Sequence, residues 1–285
     1  MAAPSTALSK QFSDTITLLA QQLNTRLRGA VMVDTNWVGE EKYYDQYASD
    51  SLVEINSRLA QTPIQSADHK RRRVTPRYFV GNTVEDPNEA LGMIIDPKST
   101  YMQAKQAAIG RKIDEIIIEG LDGTAYTGKA GSTSVTLNTA QQITNRAEGM
   151  SLTKLLAAKE ALDAEEVDKE DRYLVMASDQ IADLLNISEV KSFDYNTQRV
   201  LAEGDIKSFL GFNIIHSEQL DTDNESARKC FAWQKKGMQL AIQREAEGRV
   251  TERADLNYAW QVWVKIAFGV TRLEEERVFL IPCVE

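Results

Sequence analysis

Apolar residues recur every three or four positions in two stretches of the chain, and each stretch predicts a long amphipathic helix. The second stretch begins at Asp96-Pro97, where proline suits the first turn, and ends at Gly120-Leu121-Asp122-Gly123, where glycine can terminate a helix. No adjacent segment offers a partner to the first stretch, residues 5–28, so we expect its apolar face to be buried on the rest of the chain or on another subunit. That face carries Leu8, Phe12, Ile16, Leu19, Leu23 and Leu27.

Alternation of apolar and polar positions marks residues 256–270, LNYAWQVWVKIAFGV, and predicts a long antiparallel strand with one buried face. Shorter apolar runs at 173–177, 230–234 and 277–284 predict further strands. Ser151 and Ser178 are placed to cap two more helices. This mixture predicts an α+β fold in which helices pack on sheets.

Residues 68–95 form a charged, β-prone segment and predict a projecting hairpin. Gly81-Asn82 suits its turn, and Pro76, which has no amide hydrogen, indicates an edge strand or a bulge. An isolated hairpin is marginal in water, so we expect this one to lean on another surface. Its cations are Lys70, Arg71, Arg72, Arg73 and Arg77.

The chain has 285 residues and a formal net charge of −9, with only two cysteines and two histidines. The negative charge disfavours broad binding to nucleic acid. So few cysteines and histidines leave little material for a zinc site or a Cys–His nucleophile pair, and they favour a reducing compartment. No apolar run approaches the length that spans a bilayer. We therefore predict no catalytic residue, no metal site and no cofactor.

The cations of the predicted hairpin have three interpretations: a solvated hairpin, a nucleic-acid contact, or salt bridges to an acidic surface of a neighbouring subunit. Adjacent strand residues point to opposite faces, and no interleaved aromatic residues support base stacking, which counts against nucleic acid. The run Glu274-Glu275-Glu276 is typical of a solvated turn, and its alternative is a contact with a basic segment of a partner.

The segment GTAYTGKAG at 123–131 nearly matches a phosphate-binding loop, but Ala130 stands where a hydroxyl must hold magnesium. It follows a predicted helix and precedes a predicted strand, whereas a phosphate loop opens a helix. We interpret it as a glycine-rich turn, with a phosphate-handling enzyme that uses Lys129 as a remote alternative. The acidic run at 221–226 lacks the glycine and glutamate of a calcium loop.

Taken in order, these elements resemble the major capsid proteins of tailed bacteriophages, which share the HK97-type fold. Residues 69–96 look like the E-loop, and residues 96–123 look like the long spine helix. The segments DRYLVMASDQIADLL and LAEGDIKSFLGFNIIHSEQL look like the axial domain. AWQKKGMQLAIQ, RVTERAD and FGVTRLEEERVFLIPCV look like the return of the chain to the peripheral domain.

The resemblance implies an N-terminal arm at 1–66, an E-loop hairpin at 67–96 and a peripheral domain with the spine helix at 97–150. It places the axial domain at 151–228 and the peripheral return strands at 229–285. It also implies a non-enzymatic protein that self-assembles into hexamers and pentamers of an icosahedral head around double-stranded DNA.

The implied partners are other copies of the chain, a separate scaffolding protein, a portal and decoration proteins, with assembly in the host cytoplasm. The alternative within the same fold is an encapsulin-like nanocompartment shell that encloses a cargo protein. The residues predicted to contact neighbouring subunits are Lys70, Arg71, Arg72, Arg73, Arg77, Glu274, Glu275, Glu276, Leu8, Phe12, Ile16 and Leu19.

Overall fold

A computed structural model describes most of the chain: residues 22–47, 52–54, 56–58, 61, 64, 69–85, 98–143, 148–186, 206–223 and 227–284. The α-helices in these ranges are α1 (Lys98–Asp122), α2 (Leu152–Ala164) and α3 (Ser178–Asn186). The strands are β1 (Met32–Asp34), β2 (Lys42–Tyr47), β3 (His69–Val74), β4 (Arg77–Glu85), β5 (Ala125–Thr127), β6 (Thr133–Val135), β7 (Arg172–Met176), β8 (Ser208–Phe209), β9 (Phe212–His216), β10 (Ala227–Gln234), β11 (Met238–Arg253), β12 (Ala259–Arg272) and β13 (Val278–Val284).

The strands form three sheets, with the orders β13-β10-β7-β9-β8, β2-β3-β5-β6 and β1-β11-β12-β4. In the five-stranded sheet, β10 pairs antiparallel with β13 and β7, whereas β7 and β9 run parallel. This combination of sheets and helices is the predicted α+β class.

The chain divides into two compact units, and neither unit is contiguous in sequence. The first comprises Met1–Asn24, Tyr78–Arg111 and Ala246–Ile266, and the second comprises Thr25–Arg77, Lys112–Glu245 and Ala267–Glu285. Helix α1 and the strands β11 and β12 contribute residues to both units.

In the first unit, the N-terminal half of α1 lies against the sheet at glycine positions. A Cβ atom on Gly81 would lie 3.0 Å from a methyl group of Val264, and one on Gly248 would lie 3.0 Å from the sulfur of Met102. Nζ of Lys105 donates to the carbonyl oxygen of Asn82 at 3.3 Å. Small residues therefore allow the helix and the strands to approach closely.

In the second unit, the five-stranded sheet holds the largest buried side chains, among them Phe231, Trp233 and Phe279. Helix α2 places Lys154 against this sheet, fully buried, with Nζ donating to the carbonyl oxygens of Glu148 and Pro282 at 2.5 and 2.8 Å. As predicted, Ser151 caps α2: its hydroxyl accepts a hydrogen bond from the amide of Lys154.

The predicted division of the chain at 228/229 remains a prediction, and the sheet pairing links the segments on its two sides. Strand β10 spans that boundary, and both β10 and β13 pair in one sheet with the strands β7 and β9 of the predicted axial domain.

The predicted strand at 256–270 is confirmed as β12, but only its first half has one buried face. From Ile266 to Gly269 every residue is buried. A Cβ atom on Gly269 would lie 2.4 Å from the carbonyl oxygen of Thr75, and one on Gly120 of helix α1 would lie 2.7 Å from a methyl group of Val270. The strand is therefore covered on one side by α1 and on the other by the bend after β3.

The predicted hairpin is wrong in two respects. Gly81-Asn82 forms no turn, because β4 runs without a break from Arg77 to Glu85. In addition, β3 and β4 belong to different sheets, since the chain bends at Thr75-Pro76 and leaves β3 paired with β2 and β5. The rest of the predicted E-loop, residues 86–96, lies outside the described residues.

The described end of the predicted N-terminal helix is not α-helical, which is a second correction. Residues 22–27 are bends and irregular backbone, and a short 3-10 helix follows at Arg28–Ala30. The amides of Arg26 and Leu27 donate to the carboxylate of Asp114 at 2.8 and 3.1 Å. These amides are therefore not available for the hydrogen bonds of a helix. Residues 1–21, with Leu8, Phe12, Ile16 and Leu19, lie outside the described residues.

The predicted capping role of Ser178 is also wrong, because its side chain does not cap α3. It is the first residue of α3, and its own amide donates to the carboxylate of Glu218 at 2.8 Å. A carboxylate at this position also suits the positive end of the helix dipole.

Candidate subunit-contact surface

Four of the five predicted basic residues, Lys70 to Arg73, lie on β3, an inner strand of the sheet β2-β3-β5-β6, and Arg77 begins β4. Strand β3 pairs with β2 so that Arg71 is opposite Asp45, Arg72 opposite Tyr44 and Arg73 opposite Tyr43. Because side chains alternate along a strand, Arg71 and Arg73 share one face of the sheet, and Arg72 lies on the other.

Arg72 is buried and is bound within its own chain. Only 5% of the residue is exposed. Its Nε donates to the carbonyl oxygen of Leu273 at 2.8 Å, and Nη2 donates to the carboxylate of Glu275. The side chain of Gln46 donates to the same Leu273 oxygen at 2.9 Å. Arg72 and Glu275, each predicted as a contact to a neighbouring subunit, therefore pair with each other within one subunit.

A second buried arginine shares this carboxylate. Nη1 of Arg272 donates to the carbonyl oxygens of Leu121 and Gly123 at 2.8 and 3.0 Å, and its Nε lies 3.6 Å from Oε1 of Glu275. Burial lowers the pKa of Arg272, and the charge of Glu275 opposes that change. The carboxylate of Glu275 is thus the shared counter-ion of two buried guanidinium groups, and it ties the turn after β12 to β3.

The opposite face of the sheet is partly exposed, and its arginines are paired. Arg71 forms an ion pair with Asp45 at 2.5 Å and lies over the ring of Tyr43. Arg73 forms an ion pair with Glu41 at 3.1 Å and lies 4.9 Å from the ring centre of Tyr126.

The glycine-rich segment GTAYTGKAG forms the β5–β6 hairpin, so it is not a phosphate loop. The predicted single turn between helix and strand is corrected in one detail, because residues 125–127 form a strand of their own. Gly128 and Gly131 turn the chain with φ of 96° and 60°. A Cβ atom on Gly131 would lie 2.6 Å from Cδ of Arg73, so this glycine allows the turn to lie on that arginine.

Two lysines on the sheet β2-β3-β5-β6 are available to a partner. Lys70 and Lys129 are both exposed, and neither has an ion-pair partner within the part of the chain that the structure describes. They line a recess of about 670 Å³ together with Asp45, His69, Arg71, Thr127 and Gly128.

The remaining predicted contact residues are either paired within the chain or exposed. Arg77 forms an ion pair with Glu119 at 2.7 Å, and Glu274 pairs with Arg277 within the turn. Glu276 is exposed.

An acidic loop that the sequence interpretation missed spans residues 163–171, from the last two residues of α2 to the start of β7. Arg172, only 3% exposed, anchors it: its guanidinium donates to the carbonyl oxygens of Val167 and Asp168 at 2.6 and 3.0 Å and pairs with Asp163 at 2.7 Å. Asp168 pairs with Lys236. The run DAEEVDKED was a visible signal, because it carries six acids and one lysine.

The loop displays four further carboxylates on a fixed backbone. Glu165, Glu166, Glu170 and Asp171 are exposed, and none of them has an ion-pair partner among the described residues. Glu166 and Asp171 both have φ of 53°, the left-handed conformation.

His216 links two charged side chains from distant parts of the sequence. Its ring lies between Arg26 and Glu218, with Nδ1 at 3.1 Å from Nη1 of Arg26 and Nε2 at 2.7 Å from Oε1 of Glu218. These contacts lower the pKa of Glu218 to about 2, with the hydrogen bond to His216 as the largest cause.

Within the described ranges, no helix is both long and apolar enough to cross a membrane. In the same ranges, no three histidine, cysteine or acidic side chains are grouped as metal ligands would be.

Comparison with known proteins gives a family and a fold. A family model described as phage capsid protein matches residues 5–285. No curated protein matches the sequence. The fold is similar to the capsid structure of the cyanophage P-SCSP1u, with 17% identity and a TM-score of 0.79 over 98% of this chain and 93% of that chain.

Two other solved capsids cover the chain as fully. The cyanophage Pam1 capsid protein shows 13% identity and a TM-score of 0.77 over 99% of this chain and 98% of its own. The capsid of Ralstonia phage GP4 shows 10% identity and a TM-score of 0.73 over 98% and 96%. At such low identity the likeness establishes the fold, and it confirms the predicted HK97-type architecture.

Proposed function

The chain belongs to the family of phage capsid proteins, and from that membership we propose that it builds an icosahedral head around double-stranded DNA. It is a major capsid protein and a structural component of the virion. The observation that carries the proposal is the family match from residue 5 to residue 285, together with a fold shared over nearly the full length of solved capsid proteins.

Self-assembly is the first element of the proposal. Capsid proteins act as repeated copies, and repeated heterologous contacts close into rings and shells when the rotation between copies closes. We propose hexamers and pentamers of this chain, formed in the host cytoplasm with a separate scaffolding protein, a portal and decoration proteins.

The absence of catalysis is also a proposal, and the family role supports it. The described arginines that resemble an anion site, Arg71, Arg72 and Arg73, are held by carboxylates of the same chain. The hairpin fold of GTAYTGKAG removes the helix that a phosphate loop needs. Neither the phosphate-handling enzyme nor the nanocompartment shell is favoured by the family match.

The test is electron microscopy of negatively stained protein, expressed alone and with a candidate scaffold. Uniform closed particles that contain nuclease-protected DNA after infection support the proposal. Particles that contain a single cargo protein and no DNA would show the nanocompartment role. A protein that stays monomeric with every scaffold from its own genome would contradict the proposal.

The predicted contact residues remain predictions for this shell, but two of them are expected to act within the subunit. Lys70, Glu276 and the apolar face of Leu8, Phe12, Ile16 and Leu19 stay as expected subunit contacts. Arg72 and Glu275 are buried in the subunit, so we expect their replacement to act first on the stability of the subunit.

A further inference from the structure

The recess on the β2-β3-β5-β6 sheet carries more positive than negative charge. Its lining includes Lys70, Arg71 and Lys129 against the single carboxylate of Asp45. Asp45 is already bound to Arg71 at 2.5 Å, so the charge that the recess can offer to a partner is that of the two lysines. Both ammonium groups are exposed, and the described part of the chain gives neither an ion-pair partner.

The acidic loop of the same chain is complementary to this recess. Its four unpaired carboxylates, at Glu165, Glu166, Glu170 and Asp171, lie within seven residues. The buried Arg172 binds two carbonyl oxygens of the loop, and Lys236 binds Asp168, so the carboxylates are displayed on a backbone that is fixed before any partner arrives. A preorganised surface loses less conformational entropy on binding.

We propose that the lysine recess of one subunit binds the acidic loop of a second copy of this chain. The contact is heterologous, because the two surfaces are different, and each copy offers one of each. Such contacts pass from copy to copy and close into a ring when the geometry closes. This inference rests on the proposed function, since it needs a shell of repeated copies.

A second copy is favoured over nucleic acid as the occupant of the recess. Arg71 and Arg73 on the neighbouring face are already neutralised by Asp45 and Glu41, so the two lysines form a local site and do not extend into the positive track that a nucleic-acid backbone needs. The whole chain is acidic, with a net charge of −9, which opposes phosphate binding along a track. Four unpaired carboxylates on every copy supply an anionic partner at high local concentration in a shell.

The experiment reverses each surface separately and then both together. The recess variant is Lys70→Glu with Lys129→Glu, and the loop variant is Glu165→Lys with Glu170→Lys. Glu166 and Asp171 are left unchanged, because their left-handed backbone would confound the result. The matched controls are Lys159→Glu and Glu160→Lys on helix α2, which change charge by the same kind of substitution outside both surfaces.

The readout is the fraction of protein that sediments as closed particles in the assembly reaction, with circular dichroism and thermal unfolding of each unassembled variant. We expect the recess variant and the loop variant each to lose particles while remaining folded, because like charges now face each other. We expect the combined four-site variant to recover particles, because the charges are complementary again with their signs exchanged. Both controls should assemble as the unchanged protein does.

Three outcomes would overturn the inference while the unchanged protein still forms shells, which leaves the proposed function standing. Normal assembly of either surface variant would show that the surface makes no needed contact. Failure of the four-site variant to recover, with its fold intact, would show that the two surfaces do not meet. Normal assembly of the recess variant with loss of affinity for a labelled DNA duplex would assign the recess to nucleic acid.

Discussion

Arg71 and Arg72 are neighbours in β3, and their surroundings differ completely. Arg71 lies on the partly exposed face, where it forms an ion pair with Asp45 and a cation–π contact with the ring of Tyr43. Arg72 lies on the buried face and shares Glu275 with Arg272. An exposed ion pair contributes little to stability, whereas removing one partner of a buried pair leaves an uncompensated charge.

Replacement of Arg72 by methionine should therefore destabilise the unassembled subunit by about 3 kcal/mol, at the lower end for a broken buried pair because Arg272 still faces Glu275. Urea unfolding at neutral pH measures the change. Arg71→Met in the same strand is the matched control and should change the unfolding midpoint little. Equal losses in the two variants would show that burial does not distinguish these arginines.

Glu218 gives a prediction for the pH dependence of stability. Its pKa is lowered to about 2, mainly by the hydrogen bond to His216, while an unfolded glutamate titrates near 4.3. A lowered carboxyl pKa contributes stability that is complete above the unfolded pKa and is lost as the pH falls to the folded pKa. The subunit should thus lose part of its stability between roughly pH 4.5 and pH 2 through this one group.

The variant Glu218→Gln should show a shallower decline of the urea midpoint across that pH window, because the titrating carboxylate is gone. Glu160→Gln, at an exposed site of α2, is the control and should keep the slope of the unchanged protein. An unchanged slope in Glu218→Gln would contradict the assignment of the pH dependence to the contact with His216.

The strands and helices differ in how far their sequence revealed them. The period of the apolar residues in α1 and the alternation in β12 are properties of one element, so both could be predicted. The second buried face of β12 could not, because it depends on Thr75 and α1, which are far away in sequence. The hairpin failed for the same reason: Gly81-Asn82 has the composition of a turn, yet pairing within a sheet keeps β4 extended.

Gly269 tests the packing of β12 directly. A Cβ atom there would approach the carbonyl oxygen of Thr75 to 2.4 Å, and backbone cannot move aside as a flexible side chain can. Gly269→Ala should therefore cost about 1–3 kcal/mol of stability, as overpacking in a core does. Gly29→Ala is the control, since nothing lies within 4 Å of its added Cβ. The unfolding temperatures of both variants test this prediction. An unchanged unfolding temperature in Gly269→Ala would show that the strand can shift.

At the scale of the whole molecule, the sequence indicated the order of elements better than the contact residues. A resemblance built on order survives low sequence identity, because the fold constrains the succession of helices and strands more than the residues in them. The contact surface was predicted only in part. The cations of β3 were visible in the sequence. Their burial was not, because Lys70 and Arg72 share one face of the strand, yet Lys70 is exposed near its start and Arg72 is buried. Lys129 lies on the β5–β6 turn and joins Lys70 only in the folded structure.

The predicted apolar face of the N-terminal segment supplies a test at this scale. The variant Phe12→Asp with Ile16→Asp places two charges on that face and should abolish shell formation. We expect the unassembled subunit to keep its unfolding temperature, because the proposed partner of this face is another subunit and not the same chain. Gln11→Asp with Thr15→Asp is the control, with the same charges at the same spacing on another face. Assembly of both variants alike would remove this face from the contacts.

The discontinuity of the two units has a consequence for how the protein is made. The first unit needs both Tyr78–Arg111 and Ala246–Ile266, and the second needs Thr25–Arg77 together with Ala267–Glu285. Domains usually fold one after another as the ribosome releases them, but here neither unit can close until translation has passed residue 266. The nascent chain must hold its apolar strands open to solvent for most of its synthesis. Its yield in the cell should therefore depend on chaperones that shield unfinished chains, as well as on the contacts of the finished subunit.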